Sequence, residues 1–220
     1  MSTWTVVVAA GSGTRFGGDK QLADLSGMAV LVRSVASASA VSAGVVVVVS
    51  AGRRAAVSGV LSGLERVEAI VDGGATRSES VRCGLAAVPD GAGVVLVHDG
   101  ARPLATPDLF RRVVDAVLAG AVAVVPGVPV TDSLRTADGR VMARDDVTAV
   151  QTPQGFNAER LRSAHAGGGE ASDDATLVEA AGGTVVVVEG EASNLKITRP
   201  ADLDLARLEL ERIVAGSSDA

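Results

Sequence analysis

Valine-rich apolar runs recur along the chain, and stretches of helical period separate them. The runs predict strands over 5–10, 44–50, 67–71, 94–98, 121–125, 149–151 and 184–188. They are mostly continuous rather than alternating, which is the pattern of parallel strands covered on both faces. Helices are predicted between them, over 29–40, 53–64, 78–88, 107–119, 158–165, 174–181 and 200–214. Such alternation reads as an α/β fold with a doubly wound, mostly parallel, Rossmann-like sheet. Ligands in these folds lie beyond the carboxyl ends of the strands, so the residues after each strand are the ones to inspect.

Residues 128–147 break the alternation, because Asp138-Gly139 is a hairpin turn signal between two short strand-like pieces. A hairpin projecting from an α/β domain has little of its own chain to pack on. It predicts an arm that packs on a second subunit. No repeat or linker divides the rest, so 1–220 reads as one domain with 128–147 as a dimerisation arm. Gly167–Gly169 reads as a flexible loop, and 216–220 as a frayed tail.

Composition narrows the function. Hydrophobic residues make up 47% of the chain, yet no apolar run is long enough to span a bilayer. The N-terminus lacks a basic leader and its apolar run collapses into glycines, so no signal peptide is expected. The single cysteine, Cys83, excludes an intrachain disulfide and a cysteine-rich metal site. A cytoplasmic protein is expected. Net charge is −6 and aromatics are 2%, which argues against a polynucleotide partner, since such binders present basic faces or stacking aromatics.

The stretch 6–20, VVVAAGSGTRFGGDK, runs from strand character into glycines, an arginine and a lysine. A strand followed by a Gly-rich turn brings backbone N–H groups against phosphate oxygens. Arg15 and Lys20 add full charge where a triphosphate would lie. The order is not that of a P-loop, and the spacing does not give the dinucleotide fingerprint. Further along, Asp72-Gly73-Gly74-Ala75-Thr76-Arg77-Ser78-Glu79-Ser80 offers a second phosphate or base turn, with Ser78 or Ser80 as helix caps. In His98-Asp99-Gly100-Ala101-Arg102-Pro103, Asp99 ends a strand and suits Mg²⁺, which takes few protein carboxylates. His98 reads as a packed strand-end histidine.

The set AAGSGTR, GGATRSES, VHDGARP, TPQGF and NLKITRP, in this order, resembles the 2-C-methyl-D-erythritol 4-phosphate cytidylyltransferases of the non-mevalonate isoprenoid pathway. The resemblance covers roughly residues 6–208. It implies a transfer of CMP from CTP to methylerythritol phosphate with release of pyrophosphate. It also implies that Ala9, Ala10, Gly11, Gly74 and Ser80 contact the nucleotide, with Arg102 nearby. Arg15, Lys20 and Lys196 would act on the reacting phosphates, and Asp99 would ligate Mg²⁺. Thr152, Ser172 and Asp173 would face the second substrate, joined by Ser133 and Arg144 from the arm of the neighbouring subunit of a homodimer.

The chain departs from that pattern in places. The loop between Arg15 and Lys20 is shorter than is common, and Asp19 stands where a proline often precedes the lysine. Asp19 is therefore expected to compete for Lys20. Ala75 replaces a common polar residue, while Ser133 and Ser172 stand for threonines and keep the hydroxyl. No nucleophile–base pair is evident, and none is required, because the substrate's own phosphate is largely dianionic at neutral pH. The alternatives are a ribitol 5-phosphate cytidylyltransferase, a guanylyltransferase of molybdopterin, and a catalytically silent nucleotide-binding regulator. A dehydrogenase lacks its required fingerprint.

Overall fold

The computed structural model describes residues 1–11 and 13–218, opening with β1 (Ser2–Ala9) at the middle of the sheet. A short antiparallel pair follows, β2 (Asp24–Leu25) and β3 (Met28–Ala29), turned by Ser26 and Gly27 at positive φ. Regular alternation takes over with α1 (Val30–Ser39), β4 (Gly44–Val49), α2 (Arg54–Leu61) and β5 (Val67–Asp72). It continues through α3 (Arg77–Ala86), β6 (Ala92–Asp99), α4 (Pro107–Leu118) and β7 (Ala123–Pro129). Next come β8 (Leu134–Arg135) and β9 (Val141–Met142), then β10 (Thr148–Val150) and β11 (Gln154–Asn157). The chain finishes with α5 (Ala158–Ala166), α6 (Asp174–Ala180), β12 (Val185–Glu189) and α7 (Pro200–Ser218).

The main sheet runs β10-β7-β11-β6-β1-β4-β5, and β12 joins β7. The pairs β1–β4, β1–β6, β4–β5 and β7–β12 are parallel, while β11 is antiparallel to both β6 and β7, and β10 is antiparallel to β7. The mostly parallel α/β reading of the apolar runs therefore holds. Burial explains the composition: every residue of β4 is buried, because α1 and α2 cover one face of the sheet and α3 the other. A third apolar cluster seats α7, through Leu203 and Ala206, on Leu25, Val30 and Ile197, with Phe16 packed against it.

Three details differ from the sequence expectations. β11 is absent from them, since a four-residue strand containing Gly155 and Asn157 carries no strand pattern of its own. Gly155 is needed because a Cβ would stand 2.4 Å from Val113 Cγ1. The cap of α3 is Thr76 rather than Ser78 or Ser80: its side chain accepts from Glu79 N while Glu79 reaches back, a reciprocal capping box. Helix α7 continues through Ser218 where a frayed tail was expected from residue 216, and residues 219 and 220 of that tail lie outside the described residues.

The hairpin is present. Thr136 N donates to Arg140 O at 2.9 Å around Gly139, whose φ is +87°. It stands clear of the sheet, with Val141 73% exposed. Among the described residues no helix is long and apolar enough to cross a membrane.

Two helical glycines give a paired test of the packing. A Cβ on Gly84 would meet Val6 at 2.4 Å and Val48 at 2.8 Å, whereas one on Gly59 meets nothing within 4 Å. Gly84→Ala should destabilise by about 1–3 kcal/mol through overpacking. Gly59→Ala should stabilise by about 0.5–1 kcal/mol through helix propensity. Urea midpoints at equal slope check both, and equal shifts of the two would refute the packing account.

Candidate functional site

The site forms where β1, β5 and β6 end. After Ala9 the backbone passes through Ala10 and Gly11 into a turn in which Phe16 N and Gly17 N both donate to Gly13 O. Gly13 has φ +64°, and a Cβ there would lie 2.7 Å from Gly18 O, so the turn closes only on glycine. Phe16 anchors the loop on the third apolar cluster. Lys20 then reaches across to donate to Ile197 O at 3.2 Å, tying the loop to the segment that carries Lys196.

Two cavities open there. One, of about 420 Å³, is lined by Ala10, Gly11, Arg15, Lys20, Gly74, Ser80, Asp99 and Lys196, among others. The other, of about 210 Å³, is lined by Arg102, Thr152, Ser172 and Asp173 together with Asp99 and Lys196. Arg77, Asp99 and Lys196 line both, so the two spaces meet at these side chains. Arg102 faces the second cavity and does not line the first. Ala9 lines a neighbouring cavity on the other flank of the loop. Ser133 and Arg144 line neither of the two main cavities; Arg144 Nη1 donates to Thr131 O at 2.8 Å within the hairpin region.

Asp99 is the electrostatic centre. Lys196 Nζ lies 2.7 Å from Oδ2, Arg102 Nε 3.8 Å from the same oxygen, and Arg77 Nε 3.9 Å from Oδ1. Burial alone would raise its pKa, but Lys196 and Arg77 outweigh that and hold it at about 2. Lys20 shifts the other way. Burial, then the like charge of Lys196, pull it below the usual lysine range, with Asp99 pulling back. It is a cation short of anionic company.

Asp19 does not compete for Lys20. Its carboxylate pairs with Arg53, just before α2, and also accepts from Gln21 N at 3.2 Å. Asp19 lines the flanking cavity with Arg53 but not the larger one, whereas Lys20 lines both. Sequence reasoning missed Arg53 because its partner is distant in the chain.

Behind Asp99 lies a neutral frame. His98 is fully buried, its ring 4.9 Å from that of Phe110, and its pKa falls to about 4, chiefly through burial. The Thr152 hydroxyl accepts from Asp99 N at 3.0 Å and lies 3.1 Å from His98 Nδ1, while His98 Nε2 lies 3.3 Å from Arg102 O. The contacts fit one tautomer, with the proton on Nε2 and Thr152 donating to Nδ1. His98 is structural, as its sequence setting suggests. Thr152 fixes the backbone of Asp99 as well as lining the second cavity. Asp173 caps α6 by accepting from Thr176 N at 2.9 Å, and Gln154 Nε2 donates to it at 3.1 Å. Ser80 donates to Thr76 O at 2.8 Å. Arg77, Gln154 and Asn194 also build the site, although sequence reasoning did not single them out. Asn194 Nδ2 donates to Thr152 O at 3.0 Å, and its own carbonyl accepts from Arg102 Nη1 at 2.7 Å.

One carboxylate is a sparse donor set for a metal. Among the described residues no group of three or more His, Cys, Asp or Glu is placed to hold one. Mg²⁺ fits such a site because it fills its octahedron mainly with phosphate oxygens and water. Asp99, ionised and lining both cavities, is the residue able to take part.

Comparison with known proteins finds relatives along nearly the whole chain. A family model described as IspD: 2-C-methyl-D-erythritol 4-phosphate cytidylyltransferase matches residues 3–212. A 2-C-methyl-D-erythritol 4-phosphate cytidylyltransferase of Frankia casuarinae is 46% identical, over 94% of this chain and 80% of the relative. A bifunctional enzyme IspD/IspF of Clavibacter michiganensis is 43% identical over 98% of this chain, which spans only 56% of that relative. The crystal structure of 2-C-methyl-D-erythritol 4-phosphate cytidylyltransferase from Thermus thermophilus superposes with a TM-score of 0.80 at 39% identity, covering 96% of this chain and 100% of that one.

The buried histidine makes the frame sensitive to acid. Unfolded, His98 protonates near the ordinary value of 6.5, but folded it resists protonation to about 4. Between these values the unfolded state binds more protons, so stability should fall as pH drops from about 6.5 towards 4. Asp99, held at about 2, adds a loss only at lower pH, below its ordinary value of 3.8. His98→Asn should remove part of the slope above pH 4, as urea midpoints at pH 7, 6, 5 and 4 would record. An unchanged slope would mean that His98 is not the group responsible.

Proposed function

The chain belongs to the 2-C-methyl-D-erythritol 4-phosphate cytidylyltransferase family and is a cytidylyltransferase, and on that premise we propose how its residues carry the reaction. CMP passes from CTP to 2-C-methyl-D-erythritol 4-phosphate, giving 4-diphosphocytidyl-2-C-methyl-D-erythritol and pyrophosphate. The observation that supports this reading most is the meeting of two unequal cavities at Asp99 and Lys196. The larger takes CTP, with Ala10, Gly11, Gly74 and Ser80 around the nucleoside and Ala9 behind them. Gly74 is suited to close approach, since a Cβ there would collide with Glu79 Cβ at 2.3 Å. The smaller takes the polyol phosphate, against Arg102, Thr152, Ser172 and Asp173.

The substrate phosphate oxygen attacks the α-phosphorus, and the bond to the pyrophosphate oxygen breaks. No proton has to move, because the nucleophile is already an anion. The work is positioning two anions and neutralising the charge that develops. Arg15 and Lys20 serve the triphosphate, and Lys196 bridges the two reactants. Asp99 keeps Lys196 oriented and would be the protein residue that holds Mg²⁺. The metal, when bound, supplies further neutralisation of the phosphates. The partial desolvation that weakens Lys20's hold on its proton favours an incoming anion.

The hairpin completes the assembly. Val141 and Met142, in β9 of the hairpin, are 73% and 41% exposed and form an apolar surface on it. A homodimer in the cytoplasm covers it, and sets Ser133 and Arg144 against the partner's polyol phosphate.

Two experiments test the reading. Pyrophosphate release across CTP, GTP, ATP and UTP, each with methylerythritol 4-phosphate or ribitol 5-phosphate, should be highest for CTP with the former and should require Mg²⁺. Equal or better turnover of ribitol 5-phosphate would reassign the substrate. In the same assay Lys20→Met should lose about 10²-fold or more in turnover. For the composite site, dead Lys20→Ala and Arg144→Ala homodimers would be mixed under exchange. One intact site per mixed dimer should restore about a quarter of wild-type activity. No recovery despite verified exchange would refute the shared site.

A further inference from the structure

Arg77 is used by no step above, yet it lines both cavities. It occupies the first position of α3, directly after the Thr76 cap. A cation there opposes the helix dipole, which favours negative charge at that end. The fold nevertheless fixes it firmly. Arg77 Nη1 lies 2.8 Å from Asp174 Oδ2, and Nε lies 3.9 Å from Asp99 Oδ1. Asp174 is 0% exposed, at the start of α6, and its other oxygen lies 3.1 Å from Nε2 of His165, itself 3% exposed. A row thus runs from the buried His165 and Asp174 to the half-buried Arg77 and ends at Asp99. Rows of this kind are costly to bury and fit poorly with a role in packing alone. Local rules are broken where a site needs them broken.

We propose that Arg77 is a phosphate-contacting residue at the junction of the two cavities, and that Asp174, braced by His165, positions it there. A helix N-terminus and a guanidinium side by side both favour an anion in front of them. Nη1 of Arg77 is buried and, despite its ion-pair contact, lacks a well-aligned hydrogen-bond partner among the described residues. With Nη1 kept on Asp174, the Nε edge of the fork, 3.9 Å from Asp99, is the one that turns to a phosphate. Asp174 acts only through Arg77. This inference rests on the two-cavity reading of the reaction.

A double-mutant cycle on the full chain tests it, with steady-state kinetics in both substrates and a thermal melt for each variant. Wild-type turnover of CTP with the polyol phosphate comes first; its absence would defeat the two-cavity reading itself, and this inference with it. Given that turnover, Arg77→Met should lower kcat by about 100-fold. Asp174→Asn should lower kcat by about ten-fold, and should cost nothing more when added to Arg77→Met. A folded Arg77→Met with unchanged kcat would overturn the proposal. So would a lower melting point for Asp174→Asn with kcat intact, since that is what a merely structural role gives. Additive losses in the double variant would show that Asp174 does not act through Arg77. Should Arg77→Met fail to give a cooperative melt, Arg77→Lys replaces it: charge is kept and the fork lost. A loss of about ten-fold in kcat supports the role, and none overturns it.

Discussion

Asp99 holds a negative charge in a nearly dry setting only because Lys196, Arg102 and Arg77 surround it within 4 Å. Much of the site is arranged around that balance. The strand end of β6 presents the carboxylate, and its backbone is pinned by Thr152 rather than by a flexible contact. The cations in turn need somewhere fixed to stand, so each is braced by a second element: Arg102 by the Asn194 carbonyl, Arg77 by Asp174. Together with Arg15 and Lys20 they form a field that one aspartate cannot neutralise. Incoming phosphates supply the missing negative charge. The site thereby attracts its reactants and holds its charges in position before they arrive, which is the condition for electrostatic preorganisation.

The sheet supplies the rigidity that this field demands. Valines covered on both faces fix β4 and β6 on either side of β1, with β5 beside β4, and the carboxyl ends of β1, β5 and β6 carry Ala10, Gly73 and Asp99 to one side. The third apolar cluster does the same for the two segments that lack regular structure. Phe16 from the loop and Ile197 from beside Lys196 belong to one patch under α7, so Lys20 and Lys196 move, or stay, together.

Legibility in the sequence follows the range of the interaction. Strands buried on both faces announce themselves by composition, and the hairpin by Asp138-Gly139. Lys20 and Asp99 stand out because each is a charge beside a glycine turn or strand end, whereas Lys196 is marked only by the resemblance that NLKITRP carries. What stays hidden depends on partners far along the chain. Asp19 reads as a rival for Lys20 until the fold brings Arg53 to it. Arg77 sits in view inside a motif, but its meaning lies in Asp174, beyond any local pattern. β11 exists because β6 and β7 offer it two ladders, not because its own four residues prefer to be extended.

That strand has a mechanical consequence. β11 pairs with β6 in a register that sets Gln154 against Val97, and the same ladder, continued, brings Thr152 to Asp99. The walls of the two chambers are thus stitched to each other by the main-chain ladder of β6 and β11 and, at its end, by the Thr152 hydroxyl on Asp99 N, like two jaws cut from one piece of metal. A chain with such a gauge built in can drift widely in surface sequence while the gap across which two phosphates must meet stays constant. A single residue added between Pro153 and Phe156 would throw the gauge out by a full pleat and turn the wall inside out.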